Sequence, residues 1–257
     1  MSARRLEGIG VIVTRPRSAG EPLAAALALE GARTWLYPTL AIEDIEPDTA
    51  LRERLAGIAR YDMAIFVSAN AVEKGLAAAR RCAAWPPGIR VAAIGEATAQ
   101  ALRNSGIERV ISPPDRHDSD ALLALPQLRE TEGRNIIVFR GEGGRERLKE
   151  VLEERGAMVT YAECYRRVRP EADPAAVVAA LGRGEVNAVS ALSSETLENF
   201  IAMIGIEGAG LLTTVTLVVP HSAVAAHRGA ARFAGVVVAR HGTEGLIEAL
   251  TQIRATT

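Results

Sequence analysis

The sequence predicts an α/β fold built from two similar parallel-sheet units, and three observations carry that expectation. Short β-branched runs alternate with stretches rich in alanine and leucine, as strands joined by covering helices do. Of 257 positions, 48% are hydrophobic and only 4% aromatic, which points to aliphatic cores. The chain laid over itself also keeps one offset of 125 residues. Val11-Ile12-Val13-Thr14-Arg15 falls on Ile136-Ile137-Val138-Phe139-Arg140, Gly31-Ala32 on Gly156-Ala157, Ser68 on Ser193, and Gly95-Glu96-Ala97 on Pro220-His221-Ser222. One ungapped offset at four separated places reads as an internal duplication, although two unrelated βα units of similar loop length would also align in part.

The elements follow in order. A first strand is expected at 11–14, then a helix over 21–30 that stops at Gly31, where glycine tolerates a left-handed cap. Strands at 33–37 and 63–67 precede a helix over 71–81. A strand at 91–94 leads into a helix over 97–104. The second half repeats the scheme: strand 136–139, helix 147–155 ending at Gly156, strands 159–161 and 188–192, helix 195–204, and strands 215–219 and 236–238.

Composition excludes several classes. Thirty basic against 31 acidic residues leave a net charge of −1, so no cationic excess exists to neutralise nucleic-acid phosphates. No window approaches the roughly 18 apolar residues of a membrane span. Met1-Ser2-Ala3-Arg4-Arg5 has no apolar stretch behind it, so no secretory signal is visible. Cys82 and Cys164 make neither a disulfide framework nor a metal site. His117, His221, His227 and His241 lack ligand spacing, and no metal is expected. A soluble cytoplasmic protein is the expectation.

In open α/β sheets, ligands sit beyond the carboxyl ends of the strands, against helix amino termini. Here those positions are small, hydroxylic or glycine: Ser68-Ala69-Asn70, Gly95-Glu96-Ala97-Thr98, Arg140-Gly141-Glu142-Gly143-Gly144-Arg145, Ser193-Ser194 and Pro220-His221-Ser222. Exposed backbone N–H groups at a helix start bind anions. Two such rims would suit a polyanion. The glycine run matches no nucleotide fingerprint and a tight turn explains it as well, but Arg140 and Arg145 flank it and can hold carboxylates. Arg15 mirrors Arg140, with an ion pair to Glu21 as the plain alternative. Ser68, Thr98, Ser193 and Ser222 sit where helix caps or first turns belong, and capping alone would account for each. No nucleophile elbow and no acid–base dyad is present. Tyr165, beside Arg166 and Arg167, is either a packed aromatic or a hydrogen-bond donor to a leaving oxygen.

The chain resembles the uroporphyrinogen-III synthase family, bacterial branch, over essentially its whole length. The resemblance is carried by Val13-Thr14-Arg15-Pro16 with Ala19-Gly20-Glu21, Tyr37-Pro38, Phe66-Val67-Ser68-Ala69-Asn70-Ala71-Val72, and Ala93-Ile94-Gly95 with Ala97-Thr98-Ala99. It continues through Ser112-Pro113, Ser119-Asp120-Ala121-Leu122-Leu123, Arg140-Gly141 with Gly143-Gly144-Arg145-Glu146-Arg147-Leu148, and Glu163-Cys164-Tyr165-Arg166-Arg167.

The resemblance implies two flavodoxin-like domains joined by a two-stranded linker: 1–37 plus 168–257, and 41–164, with linkers near 38–40 and 165–167. It implies a lyase that cyclises hydroxymethylbilane to uroporphyrinogen III with loss of water and inversion of ring D, in tetrapyrrole and haem biosynthesis. No cofactor, nucleic acid or membrane is implied, and a monomer is expected. Tyr165 would assist hydroxyl departure. Arg15, Ser68, Asn70, Gly95, Thr98, Ser119, Arg140, Gly141, Gly143, Gly144, Arg145, Ser193 and Ser222 would contact substrate. Pro220-His221-Ser222-Ala223 departs from the family pattern, in which two threonines are common, so a contact from His221 is left open. The reading from another class is a non-enzymatic two-lobed α/β sensor for small anions. A nucleotide-dependent α/β enzyme is weakened by the missing phosphate fingerprints.

Overall fold

The computed structural model describes residues 4–114, 116 and 118–256. The opening residues 1–3 and His117 therefore lie outside the described residues. Two compact units divide the chain: Met1–Ala41 with Val168–Thr257, and Ile42–Arg167. Among the described residues the strands are β1 (Gly10–Val13), β2 (Arg33–Leu36), β3 (Ala41–Asp44), β4 (Met63–Phe66), β5 (Arg90–Ala93), β6 (Val110–Ile111), β7 (Asn135–Gly141), β8 (Met158–Val168), β9 (Ala188–Ser190), β10 (Thr216–Val219) and β11 (Gly235–Val238).

The first unit holds a five-stranded parallel sheet in the order β11-β10-β9-β1-β2. A parallel sheet buried on both faces needs apolar residues at successive positions, and β1 supplies them. Val11 and Val13 pack with Leu246 and Leu250 on one face, while Ile12 packs with Phe200 and Leu217 on the other. The second unit holds a six-stranded sheet, β3-β8-β7-β4-β5-β6. Phe66 and Phe139 stack there at 4.6 Å on one face, and Ile65, Ile136 and Val138 fill the opposite core.

The duplication persists in three dimensions. Gly10 and Asn135 begin β1 and β7, Arg33 and Met158 begin β2 and β8, and Met63 and Ala188 begin β4 and β9, each pair 125 residues apart. Replacing β1, β2, β9, β10 and β11 by β7, β8, β4, β5 and β6 converts one sheet order into the other, with β3 added at the edge. Counted within the first unit, the order is 2-1-3-4-5, the flavodoxin-like arrangement. Gly31 and Gly156 both follow helices with positive φ, +95° and +81°, as their cap role requires.

Several details differ from the sequence reading, among them the helices Thr49–Ala56, Ala175–Gly182 and Gly242–Thr256, which it did not give. β3 and β6 were not anticipated: β3 is half acidic and lies at a sheet edge, and β6 spans only two residues, so neither shows a two-sided apolar pattern. The first helix runs Arg17–Leu29, starting before position 21. Pro16, with φ fixed at −47°, presents its carbonyl to the N–H groups of Ala19 and Gly20 (3.0 and 2.8 Å) and so starts the helix early, leaving Pro22 inside it. β8 runs unbroken through residues 165–167. No helix among the described residues is long and apolar enough to cross a membrane.

Candidate active site

At the carboxyl end of β7 in the second unit, the chain does not enter a helix directly. Glu142–Glu146 loop outward before the helix Arg147–Glu154 begins. A cavity of about 420 Å³ lies against this loop, lined by Arg140 to Arg145, Tyr161, Tyr165, Arg167 and Ser119. Seven residues singled out from the sequence therefore converge: Ser119, Arg140, Gly141, Gly143, Gly144, Arg145 and Tyr165.

The position of Tyr165 depends on a β-bulge. Arg140 pairs with Glu163, but the next residue, Gly141, pairs with Tyr165, so Cys164 is skipped. In a regular strand, Tyr165 would share a face with Val159 and Tyr161. The bulge turns it onto the face of Ala162 and Cys164, where it is 1% exposed. The Glu142 N–H donates to the Tyr165 carbonyl at 2.8 Å and locks this register. Glycine is required opposite it, because a Cβ on Gly141 would stand 2.7 Å from the Tyr165 ring.

Among the described residues, the phenol has one hydrogen-bond partner. The Tyr165 hydroxyl lies 2.9 Å from Ser68 Oγ, and either oxygen can donate. Ser68 also caps the helix Ala69–Cys82, its Oγ accepting the Ala71 N–H at 3.0 Å. When the Ser68 hydroxyl donates to the phenol oxygen, the Tyr165 proton is free for a ligand. Tyr161 differs. It lies under the Arg140 guanidinium at 4.3 Å and the Lys149 ammonium at 5.3 Å, and burial foremost, with Glu146 adding, pushes its phenol up to about 12.

Charge is divided among the arginines. Arg140, 5% exposed, donates to the carbonyls of Gly141 and Gly143 and pairs with Glu146 at 3.1 Å, with Glu163 at 4.0 Å. It holds the glycine loop in place. Arg166 pairs with Glu43 at 3.1 Å and Arg147 with Asp120 at 3.2 Å. Among the described residues, no carboxylate lies within ion-pair distance of Arg145 or Arg167, and both are exposed on the cavity rim. The sequence reading set Arg167 beside the phenol without giving it a binding role. Its signal was spacing, since residues two apart on a strand share a face.

The other expected contacts do not gather in that cavity. Asn70 is the second residue of the helix Ala69–Cys82, and Gly95 caps the helix Glu96–Asn104. Thr98, in the first turn of the latter, is 5% exposed. In the first unit, Ser193 and Thr196 form a capping box: Ser193 Oγ accepts the Thr196 N–H at 3.2 Å and Thr196 Oγ1 accepts the Ser193 N–H at 3.0 Å. Ser222 is exposed at the start of the short helix Ser222–Ala225, whose cap residue is His221. The His221 and His241 rings meet edge to face at 4.7 Å.

Comparison with known proteins identifies the family of the chain. The family described as uroporphyrinogen-III synthase HemD matches residues 21–248. Uroporphyrinogen-III synthase of Escherichia coli K12 is 32% identical over 197 residues, covering 76% of this chain and 80% of that protein. The Salmonella typhimurium LT2 protein of the same name is 36% identical over 168 residues, 65% of this chain and 68% of its own. Two solved structures share the fold. A mutant uroporphyrinogen III synthase from the extremely thermophilic bacterium Thermus thermophilus aligns with TM-score 0.64 at 19% identity, covering 97% of this chain and all of its own. The uroporphyrinogen-III synthetase of Helicobacter pylori 26695 aligns with TM-score 0.60 at 13% identity, covering 96% and 100%.

Proposed function

The chain belongs to the uroporphyrinogen-III synthase family, and from that premise we propose which of its residues carry the reaction. The activity is that of a lyase: hydroxymethylbilane is cyclised to uroporphyrinogen III with loss of water and inversion of ring D.

The chemical task is steering. Loss of the ring A hydroxyl leaves an electrophilic azafulvene, and ring D must attack through its substituted carbon. The resulting spiro intermediate fragments and recloses with the ring inverted. Water must be kept from the azafulvene and the flexible chain held in one pose.

Tyr165 donates its phenolic proton to the departing hydroxyl, so that water leaves and the C–O electron pair goes with the oxygen. Ser68 holds the phenol oxygen and directs that proton outward. Arg145 and Arg167 receive substrate carboxylates at the rim, and the Gly141, Gly143 and Gly144 backbone shapes the wall with Ser119 beside it. Arg140 acts at one remove, by fixing the loop. Asn70, Gly95 and Thr98 line further helix starts of the second unit. Arg15, Ser193 and Ser222 extend recognition to the first unit. The observation that carries this assignment is the 2.9 Å Ser68–Tyr165 pair beside a cavity rimmed by two arginines with no acid within ion-pair distance among the described residues.

The two units are taken as the functional domains, with 38–40 and 165–167 as crossings. The division of the chain at Ala41/Ile42 and Arg167/Val168 supports this. A cytoplasmic monomer completes the proposal.

The test is product identity. Fresh hydroxymethylbilane is supplied, and the uroporphyrin isomer formed after oxidation is identified by chromatography. Type III product is expected, and a mixture unchanged from the spontaneous type I ring closure overturns the proposal. Tyr165→Phe should slow turnover by about 10- to 100-fold. An unchanged rate removes Tyr165 from the chemistry.

A further inference from the structure

The duplication supplies an internal control for one groove of the first unit. In the second unit, the helix Glu96–Asn104 packs on the helix Ala69–Cys82, with Leu102 fully buried and Ile107 seated on the same core. Its Arg103 is answered by Glu96 at 2.7 Å. At the positions 125 residues later, His227 stands for Leu102, Arg232 for Ile107 and His221 for Glu96, while Arg228 keeps the charge of Arg103. The corresponding helix is cut to one turn, Ser222–Ala225, and a 3₁₀ turn, Arg228–Arg232, follows it. The space that Leu102 fills in one half is open in the other. It forms a groove of about 550 Å³ against the helix Ser194–Met203, lined by Glu198, Ile201, His227, Gly229 and the two arginines.

The Gly229 N–H donates to His227 Nδ1 at 3.2 Å, so the neutral ring carries its proton on Nε2, 3.0 Å from Glu198 Oε1. A Cβ on Gly229 would stand 2.9 Å from Ile201 Cδ1, so glycine lets the turn come this close. With Glu198 answered by the imidazole, cations are in excess. Arg228 and Arg232 are exposed on the groove. Among the described residues, neither guanidinium makes a hydrogen bond or lies within ion-pair distance of a carboxylate. The groove runs along the middle and last turns of the helix Ser194–Met203, and its 3₁₀ turn leads to the start of β11 at Gly235. It therefore faces the amino ends of the strands, away from Ser193 and Ser222.

We propose that this groove binds a small phosphate monoester, its phosphate shared by Arg228 and Arg232 and its organic part lying over Ile201. One guanidinium suffices for a carboxylate, whereas a phosphate dianion offers three oxygens to two. The volume is that of a small-molecule site and exceeds a bare anion. The site goes beyond the reaction proposed above and does not depend on it. Inorganic phosphate offers the same head, so the experiment separates the two sources.

Full-length wild type, Arg228→Ala and Arg232→Ile are titrated calorimetrically with glycerol 3-phosphate, inorganic phosphate and propionate. Both side chains are exposed, so unfolding temperatures without ligand should stay within about 2 °C of wild type. Glycerol 3-phosphate should bind wild type, and each substitution should weaken it about 10-fold, the size of one charge-assisted hydrogen bond. The other two anions should bind more weakly. Turnover of hydroxymethylbilane should stay within two-fold in both variants, without competition from glycerol 3-phosphate. No binding by wild type, or equal binding by wild type and both variants, overturns the groove. Inorganic phosphate binding as tightly as the ester overturns the monoester, and propionate doing so overturns the phosphate head. Competition with hydroxymethylbilane, or a larger loss of turnover in either variant, overturns a site separate from the reaction.

Discussion

Arg15 and Arg140 occupy the same place in the two halves of the duplication, at the carboxyl ends of β1 and β7, yet their surroundings are opposite. Arg140 is enclosed by two carbonyls, Glu146 and the Tyr161 ring. Among the described residues, Arg15 has no acid within ion-pair distance and a sealed nitrogen without an acceptor. The residues that follow explain the divergence. Pro16, after Arg15, fixes φ and starts a helix at Arg17. Gly141, after Arg140, lets the chain pass beneath Tyr165, and the loop that follows leaves the larger cavity open. The same scaffold thus yields a loop-holding arginine in one half and an available cation in the other.

The contrast can be tested most severely by deleting each arginine. Arg140→Ala should cost about 3 kcal/mol in urea unfolding, because several charge-assisted bonds are lost and a loop is released. Its acid partners are about half exposed, which holds the figure below that of a fully buried pair. Arg15→Gln should change stability by less than about 0.5 kcal/mol, or increase it, since no partner is stranded. Equal losses at both sites would erase the distinction. Next in size, Gly141→Ala should cost about 1–3 kcal/mol and depress turnover, because the new methyl meets the Tyr165 ring at 2.7 Å.

Ser68 and Ser193 sharpen the same comparison. Both cap a helix through the same repeat position, and each change to alanine should cost about 1 kcal/mol. Only Ser68 also holds the phenol, so Ser68→Ala should lower kcat several-fold while Ser193→Ala leaves it nearly unchanged, as steady-state kinetics would read. The smallest effect concerns the thiols. Burial pushes Cys164 up to about 12, so alkylation at pH 8 should label the half-buried Cys82 and spare Cys164, which mass spectrometry reads directly.

The strands other than β3 and β6, the ends of the expected helices to within a few residues and the 125-residue repeat were legible because they are local signals. An apolar run buried on both sides, or a glycine at a left-handed cap, advertises itself within a few residues. Ser119, the glycine loop and Tyr165 were legible as types in the right order. Arg167 was not, because nothing local separates it from Arg166, whose charge Glu43 answers from more than 120 positions away. Nor could Arg15 be told from a surface arginine paired with Glu21. The structure gives that glutamate to Arg17.

The amino-acid order by itself determined two homologous α/β halves, their strand periodicity and the residue types offered at each strand end. Only the tertiary structure decided that a bulge after Arg140 turns Tyr165 toward Ser68, and that Arg140 is ion-paired while, among the described residues, Arg15 is not. Periodicity is a local free energy set by neighbours along the chain. Register slips and ion pairs are decided by whatever distant segment lies across the gap.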